Sequence, residues 1–207
     1  MINDEVIILF DHALKVLSGN FKPERDNPAK NLQEGNLNNY EKRHSGSLMR
    51  INHTGEVCAQ ALYDSQAYFT KNIILKEQFL ISKKEEIDHL IWTKERLYEL
   101  GSRPSFLNPI WYLGAFFLGA IASKAGDKHS LGFVLETEIQ VEKHLNNHLR
   151  IISINDLRSR EIIHKMKSDE KSHGDKAQNL GATEIPRPAK IIMNGVSKLM
   201  TSITYYI

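Results

Sequence analysis

The sequence is poor in cysteine and close to neutral in charge. Cys58 is the single cysteine among 207 residues, so the chain can form neither an internal disulfide nor a cysteine-based zinc or rubredoxin-type iron site. The formal net charge is only +2, with basic and acidic residues interspersed, which argues against a surface for nucleic acid. GxGxxG and phosphate-binding loop motifs are both missing, so no nucleotide site is predicted.

The N-terminus lacks the features of a secretory signal. Asp4 and Glu5 precede a short apolar run, whereas a signal peptide begins with basic residues. A cytosolic location is therefore the first expectation. The length is ordinary for one domain with a sizeable core, so we predict a single domain over residues 1–207.

The periodicity of the chain is helical. Apolar residues recur at helical spacing between clusters of turn-forming residues. An irregular arm is predicted at residues 18–40. Asn155 and Asp156 are predicted to form a turn and the N-terminal cap of the helix that follows them. The six helices span residues 5–17, 40–69 (or from Ser47), 74–100, 130–152, 156–180 and 189–206.

Four of these helices carry a duplicated set of glutamates and histidines. Each half of the chain supplies one glutamate and, 30 or 32 residues later, one Glu-x-x-His motif. Residues at i and i+3 share a helix face, so each motif can reach one metal. Together these residues form the ligand set of a carboxylate-bridged two-metal site in a ferritin-like four-helix bundle. The six residues are Glu56, Glu86, His89, Glu138, Glu170 and His173.

The spacing also places the six residues at one height. The midpoint of the first set falls near residues 71–72 and that of the second near residues 154–155, where helix–helix turns are predicted. Each hairpin then holds its ligands about 15 residues, or roughly 22 Å, from its turn. These acidic residues interrupt apolar stripes that a bundle buries, and a buried carboxylate needs a compensating partner. Carboxylate and imidazole ligands suit iron or manganese.

Other residues with ligand chemistry give weaker signals. Two further Glu-x-x-His matches, at residues 41–44 and 161–164, fail the test of height or of helix face and are predicted as surface pairs. Cys58 is predicted to be a packed, unreactive thiol. Asn52 and Glu142 each lie one turn from a proposed ligand and are predicted either to contact it or to have solvated or capping roles.

Residues 105–123 carry no charge and admit three interpretations. The segment is a buried crossover between the hairpins, a helix in the membrane interface, or a marginally short membrane span. A stripe of small residues, Ala115, Gly119 and Ser123, admits a close helix neighbour. The last helix is amphipathic, and it either packs on the core or joins the same membrane-facing surface.

Several stretches of the chain resemble one known family. Residues 48–63, LMRINHTGEVCAQALY, resemble the first ligand helix of bacterial demethoxyubiquinone hydroxylases. The resemblance extends from about residue 40 to the C-terminus. It departs at Thr54, where the family usually has Ala, and at His129, where Trp is expected, and neither residue is a proposed ligand. The other matching stretches are residues 85–89, 95–104, 130–138 and 169–174.

The resemblance implies an all-α di-iron monooxygenase of ubiquinone biosynthesis with two iron ions per chain. It implies that the enzyme uses O₂ to hydroxylate the ring of a polyprenyl demethoxy-benzoquinol. The six residues above match the family's iron ligands, with one half of the chain serving each iron. Glu86 and Glu170 match the bridging carboxylates.

We also expect a location and partners. The protein is expected to bind peripherally to the cytoplasmic face of the bacterial inner membrane, with residues 105–123 and 189–207 facing the membrane. The apolar and aromatic content of residues 106–122 and 189–207 predicts that they line a route for the prenyl tail. Other proteins of ubiquinone biosynthesis are expected partners, and nucleic acid is not. A ferroxidase or iron-storage protein on the same fold is the main alternative, and a non-enzymatic membrane scaffold is the third.

Overall fold

The described part of the chain folds into seven α-helices. A computed structural model describes residues 4–207, and no β-strand occurs in that range. Its helices are α1 (Asp4–Ser18), α2 (Asn39–Phe69), α3 (Ile73–Glu99), α4 (Asn108–Lys124), α5 (Asp127–Ile151), α6 (Leu157–Asn179) and α7 (Arg187–Thr204). The all-α prediction is confirmed, although residues 1–3 of the predicted domain lie outside the described part of the chain.

Two antiparallel hairpins form the ferritin-like four-helix bundle. α2 packs against α3, and α5 packs against α6. Their turns, residues 70–72 and 152–156, lie where the spacing of the ligands predicts them. Each turn is stabilised by a helix cap, because the Asn72 and Asp156 side chains accept hydrogen bonds from backbone N–H groups in the first turn of α3 and α6.

Apolar residues fill the bundle at two heights. On every bundle helix, the glutamates and histidines of the duplicated set lie between the residues of one apolar cluster and those of the other. The cluster towards the α5–α6 turn includes Leu48, Trp92, Leu97, Leu145 and Ile163. The cluster towards the α2–α3 turn includes Tyr63, Phe79, Leu131, Val134 and Ala177. The polar layer is therefore enclosed by apolar packing on two sides.

α4 connects the hairpins and packs closely along α2. A Cβ atom built on Gly119 would lie 2.1 Å from Ser65 Oγ and 2.9 Å from the carbonyl oxygen of Leu62, so only glycine fits there without movement. Ala115 and Ser123 are also buried on this face. The predicted small-residue stripe is confirmed, because small side chains let the two helix backbones approach.

The opposite face of α4 is apolar and exposed. Ile110, Leu113, Phe117 and Ile121 each keep more than half of their surface accessible. α4 has 17 residues, fewer than the roughly 20 that a membrane span needs, and the spanning interpretation of residues 105–123 is wrong. Indeed, none of the helices described for residues 4–207 combines the length and apolar character needed to cross a membrane.

The contact between α4 and α2 predicts opposite effects of two Gly→Ala substitutions on one helix. Gly119→Ala should lower the free energy of unfolding by about 1–3 kcal/mol, because the new methyl group overlaps α2. Gly114→Ala meets no atom within 4 Å and should raise it by up to about 1 kcal/mol, because alanine favours a helix. Chemical denaturation of both variants measures the difference, and equal stabilities would contradict the close approach.

Candidate metal centre

The structure brings all six residues of the duplicated set together inside the bundle. All six are buried, and the most exposed of them, Glu138, keeps 6% of its surface accessible. Two groups share Glu86 and Glu170, as two metal ions bridged by two carboxylates require. Within each group the ligand atoms lie within 4.8 Å of one another, and the groups are Glu56, Glu86, His89 and Glu170, and Glu86, Glu138, Glu170 and His173.

Both histidines direct Nδ1 towards the shared carboxylates. His89 Nδ1 lies 2.8 Å from Glu86 Oε2 and 3.4 Å from Glu170 Oε1. His173 Nδ1 lies 2.8 Å from Glu86 Oε1 and 3.4 Å from Glu170 Oε2. The pattern is the same on both sides, so each imidazole presents one nitrogen to the same pair of glutamates.

Two of these buried atoms have no hydrogen-bond partner. His173 Nδ1 and Glu86 Oε1 face each other but lack hydrogen-bond geometry, and both are unsatisfied. Buried polar atoms are rarely left unpaired, and a cation between these two would satisfy both. A set of carboxylate oxygens and imidazole nitrogens fits iron or manganese, and four carboxylates balance two divalent ions. The cluster could therefore hold a metal pair.

The outer nitrogen of each histidine meets a carboxylate from the opposite helix. His89 Nε2 on α3 lies 3.0 Å from Asp169 Oδ2 on α6. His173 Nε2 on α6 lies 2.6 Å from Glu85 Oε2 on α3. A carboxylate in this position orients the ring and keeps the proton on Nε2, which leaves Nδ1 available to a metal.

These two carboxylates are not the partners predicted from the sequence. Asn52 donates to Met49 Sδ at 3.7 Å, and among the interactions of residues 4–207 neither it nor Glu142 contacts a proposed ligand. Of the two alternatives predicted for Asn52 and Glu142, contact with a ligand is not the one that the structure shows. A signal for the true partners was present, because Glu85 and Asp169 are both acidic and both directly precede a Glu-x-x-His motif.

A tyrosine also supports one of the proposed ligands. The Tyr63 hydroxyl donates a hydrogen bond to Glu138 Oε1 at 2.8 Å. Burial, reinforced by the charge of Glu138, raises the pKa of Tyr63 well above its ordinary value. The hydroxyl therefore stays protonated and remains a donor. Nothing in the sequence pattern pairs these residues, which lie 75 positions apart.

Protons compensate the charge of the cluster when it holds no metal. Burial alone would lower the pKa of His89, but the charge of Glu86 and several hydrogen bonds raise it well above the ordinary value. The same balance raises the pKa of His173 to about 12. Burial and the neighbouring carboxylates raise the pKa of Glu56 and Glu138 well above the ordinary value. The raised pKa values thus favour protons on groups that a metal pair would use.

Metal binding should therefore release protons and strengthen as the pH rises. All four groups have raised pKa values, so a proton that any of them holds must leave before that group can bind a metal. We expect the affinity of the metal-free protein for Mn²⁺ to increase about tenfold per pH unit for each proton released. Calorimetry between pH 6 and 8 in buffers of different ionisation enthalpy measures the release, and a pH-independent affinity would contradict it.

The additional Glu-x-x-His matches lie outside the cluster, as predicted. Glu41 accepts a hydrogen bond from the backbone N–H of Asn38 and so completes the capping box of α2. Glu161 and His164 are exposed on α6. The test of helix height and face therefore separates the matched residues from chance repeats of the motif.

An apolar cavity of about 470 Å³ adjoins the cluster. Its walls come mainly from α2, α4, α5 and α7, with Glu170 added from α6, and they also include Glu56 and Glu138. Ile110 and Val196 belong to the wall and are also exposed at the surface, so the cavity opens between α4 and α7. The volume lies within the range of small-molecule sites. The side of the cluster that faces α2 and α5 is therefore accessible to an organic ligand.

Cys58 belongs to the wall of this cavity. Its Sγ lies 3.8 Å from Met200 Sδ. Burial, with the added charge of Glu56, raises the pKa of the thiol to about 12, so little thiolate forms at neutral pH. The residue acts as an apolar part of the lining.

The fold and the two overlapping groups define a ferritin-like helical bundle with a buried carboxylate–histidine site that could hold a metal pair. The chain belongs to the family of ubiquinone biosynthesis protein COQ7, whose sequence model matches residues 43–204. The membership inferred from the sequence is thereby confirmed.

Relatives of similar length carry one name, 3-demethoxyubiquinol 3-hydroxylase. The protein of Janthinobacterium sp. (strain Marseille) is 51% identical over 204 residues, which cover 99% of this chain and 98% of the relative. That of Legionella pneumophila (strain Paris) is 50% identical, with 99% and 97% covered. That of Cupriavidus metallidurans is 49% identical, with 99% and 100% covered.

Proposed function

We propose that this chain uses O₂ to hydroxylate the ring of 3-demethoxyubiquinol, a polyprenyl quinol, in ubiquinone biosynthesis. The observation that carries this proposal is the apolar cavity, which leads from the surface between α4 and α7 to three glutamates of the cluster. The names of the relatives supply the substrate. The same names favour this activity over a ferroxidase or iron-storage protein. Such a protein has no organic substrate and therefore does not need an apolar cavity beside the cluster.

Two iron ions would be held by the cluster. The residues that would hold them are Glu56, Glu86, His89, Glu138, Glu170 and His173, and Glu86 and Glu170 belong to both ligand groups. Bound iron supplies the activation of O₂, which no side chain of the protein can provide. The donor set and the unsatisfied atoms His173 Nδ1 and Glu86 Oε1 support this assignment.

The side chains around the metals hold the geometry and exclude water. Glu85 and Asp169 keep the protons of the two imidazoles on Nε2. Tyr63 donates to Glu138 and fixes the rotamer of that carboxylate on the cavity side. The apolar lining accepts the quinol and its prenyl tail and keeps bulk water away from the ring. These residues thus orient the metal ligands or keep water away from the quinol, and the metals would supply the redox chemistry.

The chain acts as one domain at the surface of a membrane in this proposal. The polyprenyl tail keeps the substrate in the lipid, so the cavity mouth must approach the bilayer. The exposed apolar face of α4 and the exposed Ile191, Ile192 and Leu199 of α7 lie on the helices that line this mouth. Such a surface suits peripheral binding to the cytoplasmic face of the inner membrane.

Removal of one proposed ligand should stop the reaction in cells. In a strain without another hydroxylase for this step, Glu138→Ala should lower ubiquinone more than about tenfold and accumulate the demethoxy precursor, because the metal pair loses a ligand. Quinone mass spectrometry measures both compounds. Glu161→Ala, which changes an exposed Glu-x-x-His match on α6, serves as the control and should keep ubiquinone normal. Normal ubiquinone in folded Glu138→Ala would refute the proposed function.

Charged residues on the exposed face of α4 should weaken membrane binding. The double variant Phe117→Asp/Ile121→Asp should bind liposomes at least about tenfold more weakly, because two apolar side chains no longer enter the interface. Ile81→Asp is the matched control, since Ile81 is 46% exposed but lies on α3 rather than on the cavity helices. Liposome flotation compares the three proteins, and undiminished binding of the double variant would contradict the proposed membrane surface.

A further inference from the structure

The N-terminal arm, residues 19–38, runs across the outer side of the bundle beside the cluster. It contains no helix, and its backbone and side chains contact α3 and α6. At one end Arg25 reaches the level of the proposed ligands. At the other end Glu34 accepts a hydrogen bond from Arg96 Nη2 at 3.0 Å, away from the cluster. The arm lies before residues 43–204, the part of the chain that the family model matches.

Each nitrogen of the Arg25 guanidinium donates to a residue that directly precedes a proposed ligand. Nε donates to Asp88 Oδ2 at 2.6 Å, next to His89. Nη1 donates to Asp169 Oδ2 at 2.7 Å, next to Glu170. Nη2 donates to the backbone oxygen of Glu85 at 3.1 Å, next to Glu86. One side chain thereby ties together the ligand segments of α3 and α6.

The contact with Asp169 leads directly to a proposed ligand. The same oxygen, Asp169 Oδ2, accepts from Arg25 Nη1 and lies 3.0 Å from His89 Nε2. The guanidinium also lies over the Trp92 ring, 5.0 Å from its centroid, and that ring contacts His89 at 5.4 Å between centroids. Arg25 thus restrains His89 both through the carboxylate and through the indole.

The other histidine has a different support. Glu85 Oε2, which contacts His173, accepts a hydrogen bond from Lys176 Nζ at 3.0 Å, and Lys176 belongs to the same helix as His173. Arg25 reaches this second pair through the backbone oxygen of Glu85 and not through the carboxylate that meets His173. Asp169 also accepts from a lysine, Lys165, at its other oxygen, so the two halves of the cluster differ in the arginine that binds the Asp169 oxygen next to His89.

We propose that Arg25 is a positioning residue of the metal centre, and that it sets the affinity of the metal position that uses His89. The inference rests on the metal pair assigned above. It predicts an asymmetry, because loss of Arg25 removes the donor to the Asp169 oxygen that meets His89 and leaves only Lys165, which binds the other oxygen of Asp169. The Glu85 oxygen that meets His173 keeps its donor, Lys176. The arm then belongs to the metal site, although it contributes no ligand.

The test is metal binding by the full-length, metal-free protein. Anaerobic titration with Co²⁺, followed by its visible absorption, reports the affinity and the ligand geometry of each position. For Arg25→Gln we expect one of the two affinities to fall about 10- to 100-fold, with an altered spectrum for that metal, while the other stays as in the wild type. Arg25→Lys keeps the charge that the buried Asp88 requires and should show a smaller loss at the same position.

Glu34→Gln is the matched control, because it removes the ion pair between Glu34 and Arg96, another anchor of the arm, without touching the cluster. It should keep both affinities and both spectra. Unchanged Co²⁺ binding in Arg25→Gln and Arg25→Lys would overturn the inference. Equal loss at both positions, repeated by Glu34→Gln, would also overturn it, since the arm would then act only through stability. A wild type that binds no metal pair would instead refute the metal centre itself.

Discussion

Mutual compensation of charge inside the bundle is the constraint on which this structure depends. Four carboxylates and two imidazoles share one buried volume, and isolated charges there would be too costly to keep. Bound metals or bound protons must balance these charges. The raised pKa values of His89 and His173 indicate that, without a metal, protons on the two imidazoles balance the charge of the carboxylates. The two apolar clusters on either side hold the helices at the spacing that this compensation requires.

The surroundings of the cluster divide into two unlike sides. Towards α3 and α6, carboxylates, a lysine and the arm residue Arg25 hold the histidines by charged hydrogen bonds. Towards α2 and α5, the cluster meets an apolar cavity that opens between α4 and α7. This division suits a hydroxylase of a lipid-soluble quinol, because the ligands need rigid polar support on one side and a dry approach for the substrate on the other.

Much of the fold and the six proposed ligands could be predicted from local sequence. Helical periodicity predicted six of the seven helices described for residues 4–207, all but α4. Equal distances from two turns placed Glu56 beside the Glu86–His89 motif and Glu138 beside the Glu170–His173 motif. That reasoning works because a helix has a fixed rise and a fixed face, so spacing along the chain becomes position in space. The small residues around Gly119 could be interpreted for the same reason, since only a close neighbour requires such a stripe.

The sequence by itself determined the helices, their turns and which acidic residues face inward. Tertiary structure alone decided which side chains support them: Glu85 and Asp169 rather than Asn52 and Glu142, and Arg25 across 144 positions from Asp169. Likewise, the cavity forms only when five helices pack around it. Periodicity determines which face of its own helix a residue occupies. Contacts between helices depend instead on how the helices pack and rotate against one another and on the path of an irregular arm, and the local sequence pattern does not encode these.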